Sequence, residues 1–121
     1  MKNTPLRSER LWKQYLNRPK RKWCFLCAET TTEWGYWRVI PNQYPYDNIA
    51  EKHDLLTPVR HVATEAELTA EETAELRQIK AHLTQSGEYD VFWWNFPQAQ
   101  TCPDHLHYHL LLLKRIDDVV R

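Results

Sequence analysis

Three histidines alternate with apolar residues toward the end of the chain, at His105, His107 and His109. Side chains two positions apart on a β-strand point to the same face of the sheet, so the three imidazoles are expected on one face. The opposite face is then expected to carry Leu106, Tyr108 and Leu110. A neutral imidazole is nucleophilic near physiological pH, and its neighbours can carry protons or donate hydrogen bonds to phosphoryl oxygens. Three imidazoles in a row, with His107 at the centre, could therefore divide the roles of nucleophile, orienting group and acid in chemistry on a phosphate.

The row of imidazoles is too long to surround one metal ion. His105 and His109 are four strand steps apart, about 13 Å at roughly 3.3 Å per residue, whereas metal–nitrogen bonds are about 2 Å long. A row of this length suits an extended polyanion better. Two alternatives remain open, namely a partly buried strand with incidental histidines and a strand that only binds metal.

A second chemical feature is the pair Cys24 and Cys27, separated by two residues. Three cysteines are too few and too oddly numbered for a secreted disulfide framework, and in a reducing compartment this spacing is typical of metal or redox sites. A tetrahedral zinc site would need two further ligands. A redox pair and simple packing are the alternatives. For Cys102, close to the histidine run, packing is the simpler interpretation.

Composition limits the function classes. The 121 residues suffice for one domain, and 16 basic residues balance 16 acidic ones, so no net field attracts nucleic acid or an anionic membrane. Any anion binding must be local, and nucleic acid is not an expected partner. Neither a Rossmann nor a P-loop glycine motif is present. The longest apolar runs fall far short of a bilayer span and the start is polar and basic, so we expect a cytoplasmic protein without membrane contact.

The elements that must position these residues can be outlined from the sequence. Residues 1–22 form a basic N-terminal arm with a short helix over 8–16, which we interpret as peripheral or, more simply, as a solvated terminus. Residues 23–121 form the single domain. Strands are expected at 34–41 and 54–59, followed by a long helix over 70–85, and then by a hairpin of strands at 89–95 and 105–114.

The long helix has the clearest boundaries. Thr69 and Glu72 form a capping-box pattern, and Gly87 provides a stop. Pro58 suggests a strand end, an edge or a bulge. Because the elements contain no repeated βαβ unit, we predict an α+β domain with an antiparallel sheet and the long helix packed on one face.

The run from His105 to Leu111 resembles the signature of the histidine triad (HIT) family of nucleotide hydrolases and transferases. The preceding Pro-Asp-His-Leu-His, residues 103–107, is similar to bacterial members akin to diadenosine polyphosphate hydrolases. Residues 42–45 resemble the family's Asn-x-Tyr-Pro loop, and residues 53–61 resemble its segment from a histidine to Pro-Lys-Arg-His. The resemblance extends over about residues 23–115, nearly the whole domain.

This resemblance implies a mechanism and roles for individual residues. His107 would attack the α-phosphorus of a nucleoside phosphate derivative and form a nucleotidyl-imidazole, while His109 contacts the phosphate and assists proton transfer. Asn95 and Thr101 would hold phosphoryl oxygens, and Asn42 would contact the nucleoside sugar. Dinucleoside polyphosphates and nucleoside phosphoramidates are the expected substrates. The alternative is a nucleotide-binding or zinc-stabilised interaction protein of the same fold with little or no catalysis.

The resemblance also implies a cofactor and a partner. In the zinc-bearing branch of the family, structural zinc would be held by four residues: Cys24, Cys27, His61 and His105. Members commonly form homodimers, so a second copy is the expected partner. His53 matches a family histidine, for which we expect a structural role. The aromatic region is the place to look for a nucleobase wall, although core packing is the simpler role for each of its members: Trp23, Phe25, Trp34, Tyr36 and Trp37.

Overall fold

The computed structural model describes residues 5–19, 24–28, 34–100 and 102–115. Its helices are α1 (Glu9–Leu16), α2 (Phe25–Ala28) and α3 (Ala70–Ser86), and its strands are β1 (Trp37–Pro41), β2 (Ala50–Pro58), β3 (Val91–Trp93) and β4 (Tyr108–Leu113). The strands form one antiparallel sheet in the order β1-β2-β4-β3. The predicted α+β class with an antiparallel sheet is therefore confirmed. None of the described helices combines the length and apolar composition needed to cross a membrane.

Helix α3 begins and ends where its sequence predicts, to within one residue. The Thr69 hydroxyl accepts a hydrogen bond from the backbone N–H of Glu72, and the Glu72 carboxylate accepts one from the backbone N–H of Thr69. The helix ends at Gly87, whose φ of 68° is a left-handed conformation that glycine adopts without a steric cost. Leu76 and Ile79 are buried against the sheet, which confirms the predicted packing of the long helix.

The two faces of the sheet have different contents. On the α3 side, Leu106, Tyr108 and Leu110 of the histidine run are part of the main core. The buried members of this core are Trp37, Leu56, Val62, Leu76, Ile79, Leu106, Tyr108 and Leu110. On the other side lie His107 and His109, together with a small cluster of Leu26, Ile40 and Leu55. The alternation predicted from the sequence is therefore confirmed, and it places the imidazoles opposite the helix.

The last strand begins later than predicted, at Tyr108 instead of residue 105. In the β2–β4 ladder Leu56 pairs with Tyr108, and two residues further along β2 lies Pro58, which has no N–H to continue the ladder. The backbone of Leu106 bonds elsewhere, because its N–H donates to the Val62 carbonyl at 2.6 Å and its carbonyl accepts from the Thr57 hydroxyl at 2.8 Å. His105 and His107 consequently lie on an irregular segment that leads into β4.

Three other strand boundaries also differ from the predictions. β2 begins at Ala50 and not at residue 54, because its first residues pair with β4 through a register shift although two of them are polar and exposed. β1 begins at Trp37 and not at residue 34, because the backbone N–H groups of Tyr36 and Trp37 donate to the Glu75 carboxylate on α3. β3 has only three residues, where seven were predicted.

The described part of the N-terminal arm, residues 5–19, packs on the domain, so its interpretation as a solvated terminus does not hold for these residues. The predicted helix is present as α1, with Ser8 as its N-cap. Leu11 and Tyr15 on α1 are buried, whereas Leu16 is exposed.

Candidate functional site

A cavity of about 480 Å³ lies on the face of the sheet opposite α3. Its lining includes His107, His109 and Asn42 from the predicted site, together with Phe25 from α2. The N-terminal segment supplies another part of the wall through Arg7, Tyr15 and Arg18. The volume lies within the range of about 300–1,000 Å³ that is usual for small-molecule pockets.

His107 is held in one orientation by its own chain. Its Nδ1 lies 2.9 Å from the backbone carbonyl oxygen of His105, and a carbonyl can only accept, so Nδ1 carries the proton. The lone pair of the neutral ring is then on Nε2. Burial lowers the pKa of His107, which keeps the imidazole neutral near pH 7. This is the protonation state and tautomer that a nucleophilic imidazole requires.

His109 is the middle member of a hydrogen-bonded chain that starts at a fixed donor. The backbone N–H of Tyr46 donates to Nδ1 of His53 at 3.0 Å, so the proton of neutral His53 is on Nε2. That Nε2 lies 2.8 Å from Nδ1 of His109 and donates to it. His109 must then carry its own proton on Nε2.

The amide of Asn95 completes this chain. One terminal atom of the Asn95 side-chain amide lies 3.1 Å from Nε2 of His109 and 2.8 Å from the hydroxyl oxygen of Tyr46. Since Nε2 of His109 carries a proton, the amide atom facing it must be the oxygen, which can accept, and not the nitrogen. Exchanging the two atoms requires only a 180° turn of the nearly symmetric amide group. Asn95 therefore accepts from His109 and Tyr46 and fixes the outer end of the chain.

The electrostatic environment keeps both members of this histidine pair neutral. Burial lowers the pKa of His53 to about 3, and the positive charge of Arg7 adds to the effect. Burial lowers the pKa of His109 further still, with contributions from His53, His107 and Arg7. A neutral His109 can donate a proton in a hydrogen bond without bringing a second positive charge into the buried site.

The other predicted substrate-binding residues have different placements. Asn42 lies in the cavity wall, where its Oδ1 accepts from the backbone N–H of Tyr44 at 2.9 Å. Thr101 lies outside the described residues. Of the expected nucleobase wall, Phe25 lines the cavity, Trp37 is buried in the core on the other face, and Trp23 lies outside the described residues. Trp34 packs against the core, and Tyr36 is exposed.

The four predicted metal ligands come together at the start of the histidine run. The ligand atoms of Cys24, Cys27, His61 and His105 all lie within 4.8 Å of one another. Nδ1 of His105 is 3.4 Å from the sulfur of Cys24, 3.3 Å from that of Cys27 and 3.1 Å from Nδ1 of His61. Sulfur and nitrogen ligands around a tetrahedral zinc ion are roughly 3.3 to 3.8 Å apart, so these residues fit such an ion after small shifts.

His105 also has the support that a metal-binding histidine requires. Its Nε2 donates to the backbone carbonyl of Pro58 at 2.9 Å, which leaves the lone pair on Nδ1, facing the two sulfur atoms. Burial lowers the pKa of His105 to about 4, so the ring is neutral. Cys102 is not in this cluster and packs against Leu26, Ile40 and Leu55, in agreement with the interpretation from the sequence.

A buried arginine lies near the four candidate metal ligands, which we call the metal cluster. Arg38 on β1 is 2% exposed, and its Nε and one terminal nitrogen have no hydrogen-bond partner among the described residues. Burial and the neighbouring Cys24 thiol raise the pKa of Cys27, and the charge of Arg38 acts in the opposite direction. Arg38 therefore favours the thiolate form that binds metal.

Three residues of this site have contacts that the sequence did not predict. His53 was expected to be structural, yet it contacts His109 directly. Tyr46 stacks on the ring of His109, with centroids 5.2 Å apart and planes at 19°. Arg7 was assigned to a peripheral arm, yet it lines the cavity. Only His53 had a detectable signal, its matching position in the segment 53–61, whereas the other two depend on tertiary contacts.

No protein-family model matches the chain, and no curated protein matches it significantly.

Proposed function

We propose that this chain is a HIT-like nucleotide hydrolase or transferase that acts on nucleoside phosphate derivatives through a nucleotidyl-histidine intermediate. The observation that carries the proposal is the state of His107. It lies in the cavity wall with Nδ1 bonded to the His105 carbonyl, so Nε2 is the nitrogen that can attack. The histidine motif described above supports the same role.

The proposed reaction has two steps. Nε2 of His107 forms a bond to the α-phosphorus, and the bond from phosphorus to the leaving group breaks, so that its electron pair departs with a leaving group that takes up a proton. Water then attacks the same phosphorus, the P–N bond breaks, and the electron pair returns to Nε2. The proton that the leaving group takes up in the first step comes from solvent, and the proton lost by the attacking water returns to solvent. The products are a nucleoside monophosphate and the leaving group. In a transferase, another nucleophile replaces water.

His109 is proposed to stabilise charge on the phosphoryl oxygens. Its proton is on Nε2, and the chain of hydrogen bonds through His53 holds the ring in place. To donate to a phosphoryl oxygen, His109 exchanges its contact with the Asn95 amide oxygen for one with the substrate, while the NH2 group of Asn95 is the part of that side chain that can donate to phosphate. Such preorganised donors stabilise the charge that develops in the transition state.

We further infer that the cluster of Cys24, Cys27, His61 and His105 is a structural zinc site. The set of two thiols and two imidazoles at tetrahedral separations is typical of zinc. These residues, which lie on α2 and just before it, on the loop after β2 and at the start of the histidine run, would hold the ion, and its binding would supply folding energy by joining these segments. In this proposal His105 binds zinc and takes no part in the reaction, and His107 is the residue that attacks phosphorus.

The function is tested with a panel of adenylyl and guanylyl substrates labelled at the α-phosphorus. The protein is denatured in base, which preserves a P–N bond, and the label is located by peptide mapping. We expect label on His107 and a fall in turnover of at least about 10³-fold in His107→Asn. His82→Asn is the matched control, because His82 is exposed on α3 and remote from the cavity lining.

Two results would separate the proposal from its alternative. Tight nucleotide binding with no turnover of any substrate would favour a binding protein that retains the site without the chemistry. Absence of both binding and turnover in protein that holds zinc would overturn the enzyme proposal.

A further inference from the structure

The N-terminal segment, residues 5–19, is attached to the loop between β1 and β2 by a set of hydrogen bonds. The Ser8 N–H donates to the Asp47 carboxylate at 2.7 Å, and the Asn48 N–H donates to the Leu6 carbonyl at 3.1 Å. Nε of Arg7 donates to the Tyr44 carbonyl at 2.8 Å. The segment is thus a built part of the site and not a loosely placed tail.

Arg7 brings a positive charge close to the proposed reaction centre. It is 7% exposed, and its guanidinium lies 4.8 Å from the centre of the Tyr46 ring. Tyr46 in turn stacks on His109. The charge of Arg7 is therefore one aromatic ring away from the imidazole that faces the substrate phosphate.

Arg18 places a second guanidinium in the cavity wall, closer to solvent. It lies flat against Tyr15 at 3.8 Å from the ring centre, and one terminal nitrogen donates to the Tyr15 carbonyl at 2.8 Å. This stacking and the hydrogen bond fix the plane of the guanidinium while its side chain remains exposed. Preorganisation of this kind lowers the entropic cost of binding an anion.

The charge of the cavity differs from that of the whole chain. The chain has no net charge, yet the described residues that line the cavity include two arginines and no aspartate or glutamate. Among the described lining residues, the positive charge comes from the N-terminal segment, because the others are apolar, aromatic, amide, cysteine or histidine. A cavity of this composition attracts anions, and its volume of about 480 Å³ leaves room for more than one phosphate group.

We propose that residues 5–19 form a leaving-group subsite, in which Arg18, supported by Arg7, binds phosphate groups beyond the phosphorus that His107 attacks. This inference rests on the proposed function and deepens it, because it assigns the substrate an anionic, polyphosphate leaving group instead of the uncharged amine of a phosphoramidate. Charge-assisted hydrogen bonds contribute about 1.5–3 kcal/mol, which corresponds to roughly 10- to 100-fold in affinity.

The test compares the binding of AMP and ATP by calorimetry, without added divalent cations, in the full chain and two variants. We expect the unmodified protein to bind ATP at least 10-fold more tightly than AMP. Arg18→Gln should weaken ATP binding about 10- to 100-fold and AMP binding less than threefold. Arg10→Gln is the matched control, because Arg10 is an exposed arginine of α1 outside the cavity lining, and its loss should change both affinities less than threefold.

The outcomes distinguish this inference from the proposed function. Equal affinities for AMP and ATP, or equal effects of Arg18→Gln and Arg10→Gln, would overturn the leaving-group subsite even if the enzyme turns over its substrates. Selective loss of ATP binding in Arg18→Gln would support the subsite even if turnover is absent, in which case only the hydrolase proposal fails. If neither nucleotide binds, the subsite proposal is wrong, and the proposed function is wrong as well if no substrate of the panel is turned over.

Discussion

The two ends of the histidine row have the same residue type, the same spacing and different surroundings. His105 and His109 are both buried, and burial lowers the pKa of each. The neighbours of His105 are two sulfur atoms and another imidazole, whereas His109 contacts His53 and Asn95. The surroundings of an imidazole in this row are therefore set by its partners from other elements and not by its position in the motif.

The largest expected effect is at the sulfur-rich end of the row. Cys27→Ser should abolish stoichiometric zinc binding and lower the free energy of unfolding by at least about 3 kcal/mol, because the ion joins segments that are distant in sequence. Elemental analysis and denaturant unfolding measure the two effects. Cys102→Ser is the matched control and should retain zinc, since Cys102 lies outside the cluster. Equal zinc loss in both variants would contradict the assignment.

At the nitrogen-rich end, His53 is predicted to act as a positioning residue. Asn at position 53 can mimic Nδ1 and keep the bond to the Tyr46 N–H, but it cannot reach His109, whereas Gln can place a donor near the position of Nε2. His53→Asn should therefore lower kcat about 10- to 100-fold without zinc loss, and His53→Gln should recover part of that loss. Steady-state kinetics on both variants measure the difference. A purely structural role for His53 predicts no selective recovery by Gln.

The same pair predicts a dependence of stability on pH. In the unfolded chain histidines take up protons below a pKa near 6.5, whereas burial keeps His53 neutral in the folded protein down to about pH 3. The unfolded state thus binds more protons, and stability should fall from about pH 6.5 downward by roughly 1 kcal/mol per pH unit for each such histidine. His53→Gln should flatten this slope relative to the unmodified protein, as measured by urea unfolding between pH 7 and pH 5. An unchanged slope would show that His53 is not held neutral.

The smallest effect is expected away from both ends of the row, at the start of α3. Thr69→Ala removes one half of the capping box and should lower the free energy of unfolding by about 1 kcal/mol. Zinc content and turnover should not change, because Thr69 contacts neither region. Thr69→Ser, which keeps the capping hydroxyl, should remain close to the unmodified protein in the same unfolding experiment. A change in zinc content would mean that α3 is coupled to the cluster.

The parts of the molecule that were predictable from sequence are those whose cause is local. The capping box of α3 and the alternation around His107 depend on residues close together in the chain, and both were predicted correctly. The start of β4 was not, because it depends on Pro58 in a different strand. The placement of Arg7 depends on contacts with the loop between β1 and β2, for which the sequence has no periodic signal.

The residues of the candidate site also include some with a local signal in the sequence and some that depend on tertiary contacts. The two cysteines and two histidines of the candidate metal site were named from the family resemblance. The structure brings their ligand atoms within 4.8 Å of one another. The contact of His53 with His109 depends on the register that pairs Leu55 with His109, which no local pattern specifies. The register of the sheet therefore determines which histidines are in contact.

The central claim is that His105 belongs to the metal cluster and His107 to the cavity. It is tested most directly by measuring zinc per chain in His105→Asn and His107→Asn, purified in parallel with the unmodified protein. We predict that His107→Asn retains zinc at the level of the unmodified protein and that His105→Asn loses most of it. Retention of zinc in His105→Asn together with its loss in His107→Asn would contradict the account.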